Sequence, residues 1–249
     1  MDKTLYDQFF ELESHHWWFV ARREIILRQI RANLPQKANN SVLDVGCGTG
    51  IMLEYLKEFG DVRGMDFSAD AVNYSNLRLK GAVEVKQGGL TGKLPYKENT
   101  FNLITLLDVI EHIDDDRKAL KAAFRILKPG GTLVCTVPAY MFLWSGHDVL
   151  NHHKRRYTSR ELGEKVAGAG FRIEKITYFN SLLSPAVFLA RCLVPASKRL
   201  EPKSDFKTYA GPINSTLKNI FLLEKNLLNF LSFPFGVSLL CVAKKGAVK

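Results

Sequence analysis

The stretch VLDVGCGTG at residues 42–50 decides the fold of this protein. It begins with the apolar and β-branched residues of a buried strand, and glycine then occupies every second position. Glycines after a strand let the backbone pass close to a ligand and leave the N–H groups of the next helix free to bind it. The spacing G-x-G-x-G is one residue shorter than the dinucleotide fingerprint, which disfavours an NAD-dependent oxidoreductase.

Strands and helices alternate around this glycine loop (residues 46–50). Strands are predicted at residues 42–45, 61–66, 83–87, 101–107, 132–137, 171–179 and 236–243, and helices at residues 17–33, 51–59, 69–80, 115–127 and 159–169. The pattern predicts an α/β protein with a Rossmann-like, seven-stranded, mostly parallel sheet and helices on both faces. Right-handed crossovers place a ligand crevice at the carboxyl ends of the strands, where the glycine loop, Asp66 and Asp108 fall. Ser159 is the predicted N-cap of the helix at residues 159–169.

The positive charge is confined to the second half of the chain. Of the net charge of +10, residues 1–140 contribute nothing, because 18 Lys and Arg balance 18 Asp and Glu, whereas residues 141–249 hold 17 against 7. We therefore expect the second half to meet an anionic partner, and contact with a membrane surface stays open. The polar N-terminus and the four widely spaced cysteines predict a cytoplasmic protein without disulfides.

Four motifs, in this order, carry a family resemblance. They are VLDVGCGTG, VRGMDFSADAV, LPYKENTFNLITLLDVIEHIDD and RILKPGGTLVCTVPAY, within residues 42–140. As a set they resemble the class I S-adenosylmethionine-dependent methyltransferases, in particular the methyltransferase type 11 group of ubiquinone-pathway, menaquinone-pathway and sugar methyltransferases. The resemblance implies S-adenosylmethionine as the cofactor. Weaker similarity continues through HHWWFVARREII before these motifs and SGHDVLNHHKRRYTSREL after them.

The resemblance also implies where the cofactor binds. Asp44 and the glycine loop would face its methionine part, Asp66 its ribose hydroxyls, and Phe67 its adenine. Where the family usually has an acid, this chain has Gly89, so the backbone N–H of Leu90 would serve the adenine ring instead. An arginine of an N-terminal lid would pair with the cofactor carboxylate. The implied set is Asp44, Gly46, Cys47, Gly48, Gly50, Asp66, Phe67, Leu90, Asp108 and Arg22.

We therefore expect one methyltransferase domain over residues 1–249. Residues 1–40 would form the helical lid, residues 41–140 the cofactor-binding core and residues 141–249 a substrate-facing half. About residues 181–235 would be a helical insertion before the last strand, because this connection is too long for a hairpin. An uncharged stretch at residues 226–243 contains a Pro-Phe-Gly break, which favours a helix end, a turn and a strand over a membrane span.

The segment GHDVLNHHKRRYT, residues 146–158, follows the fifth predicted strand and supplies the acceptor-side candidates. His153 or His147 is a candidate general base, and Asp148 could orient either imidazole. His112 is interpreted as a residue that packs beneath the site. His15, His16, His152 and His153 could suggest a metal site, but no second cluster with ligand spacing accompanies them, so no metal is expected.

Three further residues of this segment are candidates for binding the acceptor. Arg155 and Arg156 offer forked donors for phosphate or carboxylate, and Tyr157 could pack against the acceptor or donate a hydrogen bond. The predicted function is methyl transfer to a small or lipid-linked, anionic acceptor, with O-methylation of a glycan, nucleotide sugar or quinone-like precursor favoured. The alternatives are a non-catalytic cofactor-binding protein and a nucleic-acid methyltransferase. The second is disfavoured because no Asn-Pro-Pro-aromatic run follows the fourth strand.

Overall fold

The computed structural model describes residues 3–35, 39–92 and 94–246. In these residues seven strands form one sheet in the order β3-β2-β1-β4-β5-β7-β6. The strands are β1 (Asn40–Val45), β2 (Gly60–Asp66), β3 (Glu84–Gln87), β4 (Phe101–Leu107), β5 (Leu127–Pro138), β6 (Phe171–Phe179) and β7 (Ser238–Lys245). Strands β1 to β5 pair in parallel, and β7 is antiparallel to both β5 and β6. The predicted mostly parallel sheet is confirmed.

Helices cover both faces of the sheet. They are α1 (Lys3–Leu12), α2 (Trp17–Asn33), α3 (Ile51–Leu56), α4 (Ala69–Leu79), α5 (Asp116–Ile126), α6 (Gly146–Leu150), α7 (Ser159–Gly168), α8 (Ser184–Leu193), α9 (Ala196–Arg199) and α10 (Gly211–Leu227). One apolar cluster joins the sheet to α5 and α7, and a second joins it to α2, α3 and α10. Because the central strands are buried on both faces, they read as continuous apolar runs in the sequence.

Several boundaries differ from the prediction for local reasons. Thr158, and not Ser159, caps α7, because its hydroxyl accepts from the Glu161 N–H while the Glu161 carboxylate accepts from the Thr158 N–H. The insertion helix α10 begins at Gly211, and the proline in its first turn costs no hydrogen bond. The predicted loop after β5 contains α6, which has a capping box of its own.

The N-terminal helices and the insertion lie together on the cofactor half of the molecule. Helix α2 packs along α10, where Lys225 Nζ lies 3.1 Å from Glu24 Oε2. Helix α1 packs against α4, with the Tyr6 and Tyr74 rings stacked 5.9 Å apart. Within the described ranges no helix is both long and apolar enough to span a bilayer. The uncharged stretch at residues 226–243 holds a helix end and a strand, as predicted, since α10 ends at Leu227 and β7 begins at Ser238.

Candidate functional site

One large cavity opens at the carboxyl ends of β1, β2 and β4, where the sequence predicted the ligand crevice. Its volume is about 1110 Å³. Typical small-ligand pockets measure roughly 300–1,000 Å³, so this cavity has room for a cofactor and a second molecule. The glycine loop and Asp66 line one part, and residues of α6, α8 and the segment after α9 line another.

The glycine loop takes a backbone shape that other residues would not tolerate. Gly46 has a φ of +69°, and a Cβ there would lie 2.5 Å from the Cγ2 of Val109. Gly50 has a φ of +83°, and a Cβ there would meet the hydroxyl and backbone of Ser75 at about 3 Å. The Gly46 N–H donates to the Met65 carbonyl at 2.7 Å, which ties the loop to β2. The three glycines therefore allow a close backbone wall at the start of α3.

Asp66 lies at the end of β2 and connects the loop to the next helix. Its Oδ2 accepts from the Gly48 N–H and its Oδ1 from the Ser68 N–H, both at 2.9 Å. Burial raises the pKa of this carboxyl, and the two backbone donors oppose the shift. Next to it, the Phe67 ring is exposed, and a Cβ at Gly89 would lie 3.8 Å from that ring. The exposed ring and the open backbone at Gly89 form a slot with room for a flat group beside the Asp66 carboxylate.

Asp44 and Asp108 bring two more acids to the same cavity. Burial raises the pKa of Asp44 to about 7, and the hydroxyl of Thr105, which donates to it at 2.5 Å, opposes the shift. Asp108 Oδ2 lies 2.8 Å from Arg22 Nη2, and the Thr136 hydroxyl donates to Asp108 Oδ1 at 3.0 Å. Arg22 therefore reaches the cavity from α2. In this structure, however, its guanidinium pairs with a protein carboxylate.

A buried network that sequence reasoning missed joins the N-terminal segment to the glycine loop. Glu13, just after α1, accepts a short hydrogen bond from Thr49 and pairs with Arg78 of α4 at 3.3 Å. Burial raises the pKa of Glu13 to about 7, against the effect of Thr49 and Arg78. The residues around Glu13 in the sequence do not indicate that Thr49 and Arg78 are its partners. The network ties the segment after α1 to the glycine loop.

The segment at residues 146–158 is organised around the Asp148 carboxylate, which is 0% exposed. Arg156 donates to both carboxylate oxygens, from Nε at 2.8 Å and from Nη2 at 2.9 Å, and also donates to the Ala139 carbonyl. The Nδ1 of His153 lies 2.9 Å from Asp148 Oδ1. Burial opposes ionisation, but the bonds from His153 and Arg156 outweigh it and hold the pKa of Asp148 well below its usual range. Asp148 thus orients His153, one of the two predicted arrangements.

Arg155, Arg156 and Tyr157, which were expected to bind the acceptor, all have partners within the protein. Arg156 is nearly buried and is engaged by Asp148, so its fork is not free for a phosphate. Arg155 pairs with Asp116 at 3.1 Å. Tyr157 is buried in the core, where its hydroxyl donates to Asp116 at 2.8 Å. These contacts join the segment at residues 146–158 to Asp116 and Asp148. In the sequence the segment looks like a free basic surface, but in the fold these carboxylates lie next to it.

His147, the second predicted base, lies under the segment after α9. Its Nδ1 is 3.3 Å from the Asp205 N–H, and its ring packs edge-on against Phe206 at 5.0 Å. Phe206 also contacts the rings of Trp18 and Phe19, at 5.1 and 4.6 Å. Burial lowers the pKa of His147 to about 4. This histidine therefore helps to hold a roof over the cavity, a role that its sequence neighbours do not reveal.

His153 also belongs to a group of one acid and two histidines. The potential metal-ligand atoms of Glu111, His112 and His153 all lie within 4.8 Å of one another. We call these three residues the Glu–His–His cluster. Glu111 and His112 follow β4 and His153 follows α6, so their spacing in the sequence did not suggest a metal site. The sequence-based expectation of no metal therefore did not consider this group, and His112 belongs to it besides packing at the site.

The comparisons with known proteins agree with this geometry. The family model described as "Methyltransferase domain" matches residues 19–176. The chain belongs to this family. It is a class I S-adenosylmethionine-dependent methyltransferase, as the sequence motifs implied.

Two curated relatives resemble this methyltransferase. A Mycolicibacterium smegmatis protein described as an S-adenosylmethionine-dependent methyltransferase is 28% identical over 166 residues. The match covers 66% of this chain and 62% of that protein. The ubiquinone biosynthesis O-methyltransferase of Pseudomonas fluorescens (strain Pf-5) is 28% identical over 194 residues, which cover 67% of this chain and 82% of that enzyme.

Among solved structures, a Haloferax volcanii protein described as a methyltransferase, in complex with the Trm112 methyltransferase activator, superposes with a TM-score of 0.64. The two chains are 18% identical, and the superposition covers 99% of this chain and 96% of the other. At this identity the likeness supports the fold alone.

Proposed function

We propose that this methyltransferase transfers the methyl group of S-adenosylmethionine to a hydroxyl oxygen of a small or lipid-linked acceptor with an apolar body. The observation that carries the proposal is the shared cavity, in which the glycine loop and Asp66 stand at one part and His153 at another. Methyl transfer from a sulfonium is an in-line displacement, so both substrates must be aligned in one space from which water is excluded.

The geometry of the glycine loop supports the cofactor placement implied by the family resemblance. Backbone N–H groups at residues 46–50 and the Asp44 carboxylate would hold the methionine part, and Asp66 the ribose hydroxyls. The exposed Phe67 ring beside Gly89 would stack on the adenine, with the Leu90 N–H at a ring nitrogen. The full proposed set remains Asp44, Gly46, Cys47, Gly48, Gly50, Asp66, Phe67, Leu90, Asp108 and Arg22.

The walls beyond the cofactor residues favour an apolar acceptor. Leu143, Val187, Ala190 and Val237 line this part of the cavity. Arg155 and Arg156, which were expected to bind a phosphate or carboxylate, pair instead with Asp116 and Asp148. Of the acceptors considered from the sequence, a hydroxylated quinone-like precursor therefore fits better than a nucleotide sugar. The name of the Pseudomonas relative, a ubiquinone biosynthesis O-methyltransferase, points the same way.

A hydroxyl acceptor must be activated near neutral pH. The Glu–His–His cluster stands at the cavity wall, and Asp148 holds His153 through Nδ1, which leaves Nε2 free for the acceptor or for a bound ion. In the transfer, the acceptor oxygen gives its proton to His153 Nε2 or to water and forms a bond to the methyl carbon. The bond between carbon and sulfur breaks, and its electron pair stays on the sulfur, which becomes a neutral thioether.

The proposal is tested by measuring S-adenosylhomocysteine formation with a panel of acceptors. The panel pairs hydroxylated quinone precursors with their O-methylated forms, and includes nucleotide sugars and acidic glycans. We expect turnover with a hydroxylated precursor and none with its methylated form. Turnover confined to nucleotide sugars or glycans would overturn the acceptor class, and turnover with none of these acceptors by a protein that binds the cofactor would overturn the proposed function.

We also propose that α8 brings the acceptor from an anionic membrane surface. Val187 and Ala190 of α8 line the cavity, whereas Leu189 and Leu193, one turn apart, point outward, and Leu193 is 73% exposed. An exposed apolar stripe within a half of net charge +10 has the character of an interfacial helix. A lipid-linked acceptor would then pass along one helix from the bilayer into the cavity.

Liposome sedimentation tests this contact. The protein should sediment with vesicles that contain anionic lipid at low salt, and the Leu189→Ser, Leu193→Ser double variant should lose most of this association. The control is Leu77→Ser, because Leu77 of α4 is 65% exposed but does not line the cavity. Equal sedimentation of all three proteins would contradict the assignment of α8.

A further inference from the structure

We propose that the Glu–His–His cluster binds one divalent transition-metal ion of the zinc type, held by Glu111, His112 and His153. The ion would bind the acceptor hydroxyl at a free coordination position. This second part rests on the proposed function, whereas the binding of the ion does not.

The three residues are brought together by a fixed backbone arrangement. Glu111 and His112 lie in a one-turn helix after β4, and His153 lies just after α6. The Lys154 N–H donates to the Glu111 carbonyl at 2.9 Å, which fastens the two segments beside the cluster. The His112 and His153 rings meet edge to face with centroids 4.7 Å apart. The ligands are therefore set by the fold and do not depend on long flexible side chains at a surface.

Glu111 gives the strongest indication that something is bound. Its side chain is 0% exposed, and neither carboxylate oxygen has a hydrogen-bond partner within the residues that the structure describes. A buried carboxylate without a partner is costly, and buried polar atoms are nearly always satisfied. A cation between Glu111 and the two imidazoles would satisfy it. No hydrogen bond from Arg22 or Arg156 reaches this carboxylate among the described residues.

His153 is oriented as metal-bound histidines are. Its Nδ1 faces the Asp148 carboxylate at 2.9 Å, which places the proton on Nδ1 and leaves Nε2 as the ligand atom. A carboxylate that accepts from the far nitrogen of a ligating imidazole is the usual outer partner in zinc sites. Asp148 is in turn fixed by the two bonds from Arg156. In the basic segment after β5, Arg156 thus holds Asp148, and Asp148 orients His153.

The ligand set indicates both the ion and its chemistry. Two imidazoles and one carboxylate are a catalytic zinc set, which leaves the fourth position open. Zinc ligand atoms lie about 2.0–2.2 Å from the ion and hence roughly 3.5 Å apart, so shifts of roughly 1 Å would close the 4.8 Å cluster around it. A hydroxyl bound to such an ion loses its proton to water near neutral pH, and its oxygen then attacks the methyl carbon. His153 would act as a ligand and not as a free base.

The test is metal binding by the full chain without any acceptor. Protein stripped with a chelator is dialysed against Zn²⁺ and its metal content measured, and Co²⁺ absorption reports the coordination geometry. We expect one ion per chain. Glu111→Gln and His153→Gln should each weaken binding at least about 100-fold, and Asp148→Asn about 10–100-fold. His152→Asn is the control, because its ring is outside the cluster and asparagine tolerates the positive φ at this position.

Cooperative thermal unfolding checks that the variants fold, and Zn²⁺ should raise the unfolding temperature of the native protein but not that of Glu111→Gln. Glu111→Gln is suited to this because it removes a buried charge while keeping the side-chain shape. The proposed site would be overturned if the native protein bound less than one Zn²⁺ per chain. It would also be overturned if the cluster variants bound Zn²⁺ as tightly as the control. If the ion binds but no hydroxyl acceptor turns over, the proposed function fails and the metal site stands.

Discussion

Arg156→Ala gives the sharpest test of how the segment after β5 is built. The substitution removes both bonds from Arg156 to Asp148 and leaves that carboxylate, which is 0% exposed, with His153 and the N–H and hydroxyl of Ser145 as donors. Removal of one partner of a buried ion pair costs about 3–5 kcal/mol, because the remaining charge loses its compensation. We expect about 3 kcal/mol, near the lower end, because the Ser145 N–H still donates to Asp148 at 2.8 Å.

The assay is urea unfolding followed by tryptophan fluorescence, with thermal unfolding as a second measure. For a protein of this size, about 3 kcal/mol corresponds to a decrease of roughly 6–12 °C in Tm. Arg160→Ala is the matched control, because Arg160 is an exposed arginine that pairs with Glu164 on the surface of α7. Such a surface pair contributes at most about 0.5 kcal/mol.

The same variant separates two roles for Arg156. If Arg156 binds the acceptor, as its sequence position suggested, the substitution raises the acceptor KM and leaves the free energy of unfolding unchanged. If it stabilises Asp148, the substitution lowers the free energy of unfolding. An unfolding free energy equal to that of Arg160→Ala would refute the structural role.

Three further predictions concern the cofactor part of the cavity. Asp66→Ala should weaken calorimetric binding of S-adenosylmethionine and of its demethylated product by about 1–3 kcal/mol, and Asp61→Ala, at the exposed start of β2, should change neither; equal effects would contradict the ribose contact. Because the pKa of Asp44 is raised to about 7, the carboxylate is protonated below that pH, so cofactor affinity should rise between pH 6 and pH 8 and then level off. Asp44→Asn should flatten this profile, and an unchanged profile would exclude Asp44 as its source. Gly46→Ala should abolish cofactor binding, since its Cβ would meet Val109 at 2.5 Å, and retained affinity would refute the close packing of the loop.

The cofactor half could be predicted from the sequence because its signals are local. Strand β4 has its predicted bounds, Phe101–Leu107, since a strand buried on both faces is a short apolar run between turn residues. The glycine loop could be predicted equally well, because the φ of +69° at Gly46 restricts the residue type at that position. In such places the local sequence and the tertiary environment impose the same requirement.

The acceptor half could not be predicted to the same depth, because its chemistry depends on pairs that only the fold creates. Arg155 and Tyr157 read as free surface groups, yet both converge on Asp116, which begins α5. Charge patterns count cations, but they do not say which cations meet a buried carboxylate. The Glu–His–His cluster was missed for the same reason, since Glu111 and His153 belong to distant parts of the chain.

The central claim is methyl transfer from S-adenosylmethionine to an acceptor oxygen, and one measurement tests it directly. The native protein is incubated with S-adenosylmethionine that carries a trideuterated methyl group and with a hydroxylated quinone precursor, and the product is analysed by mass spectrometry and NMR. The account predicts one trideuterated methyl group on the acceptor oxygen, formed together with an equal amount of S-adenosylhomocysteine. A label found on carbon or nitrogen, or an acceptor left unlabelled by protein that binds the cofactor, would contradict it.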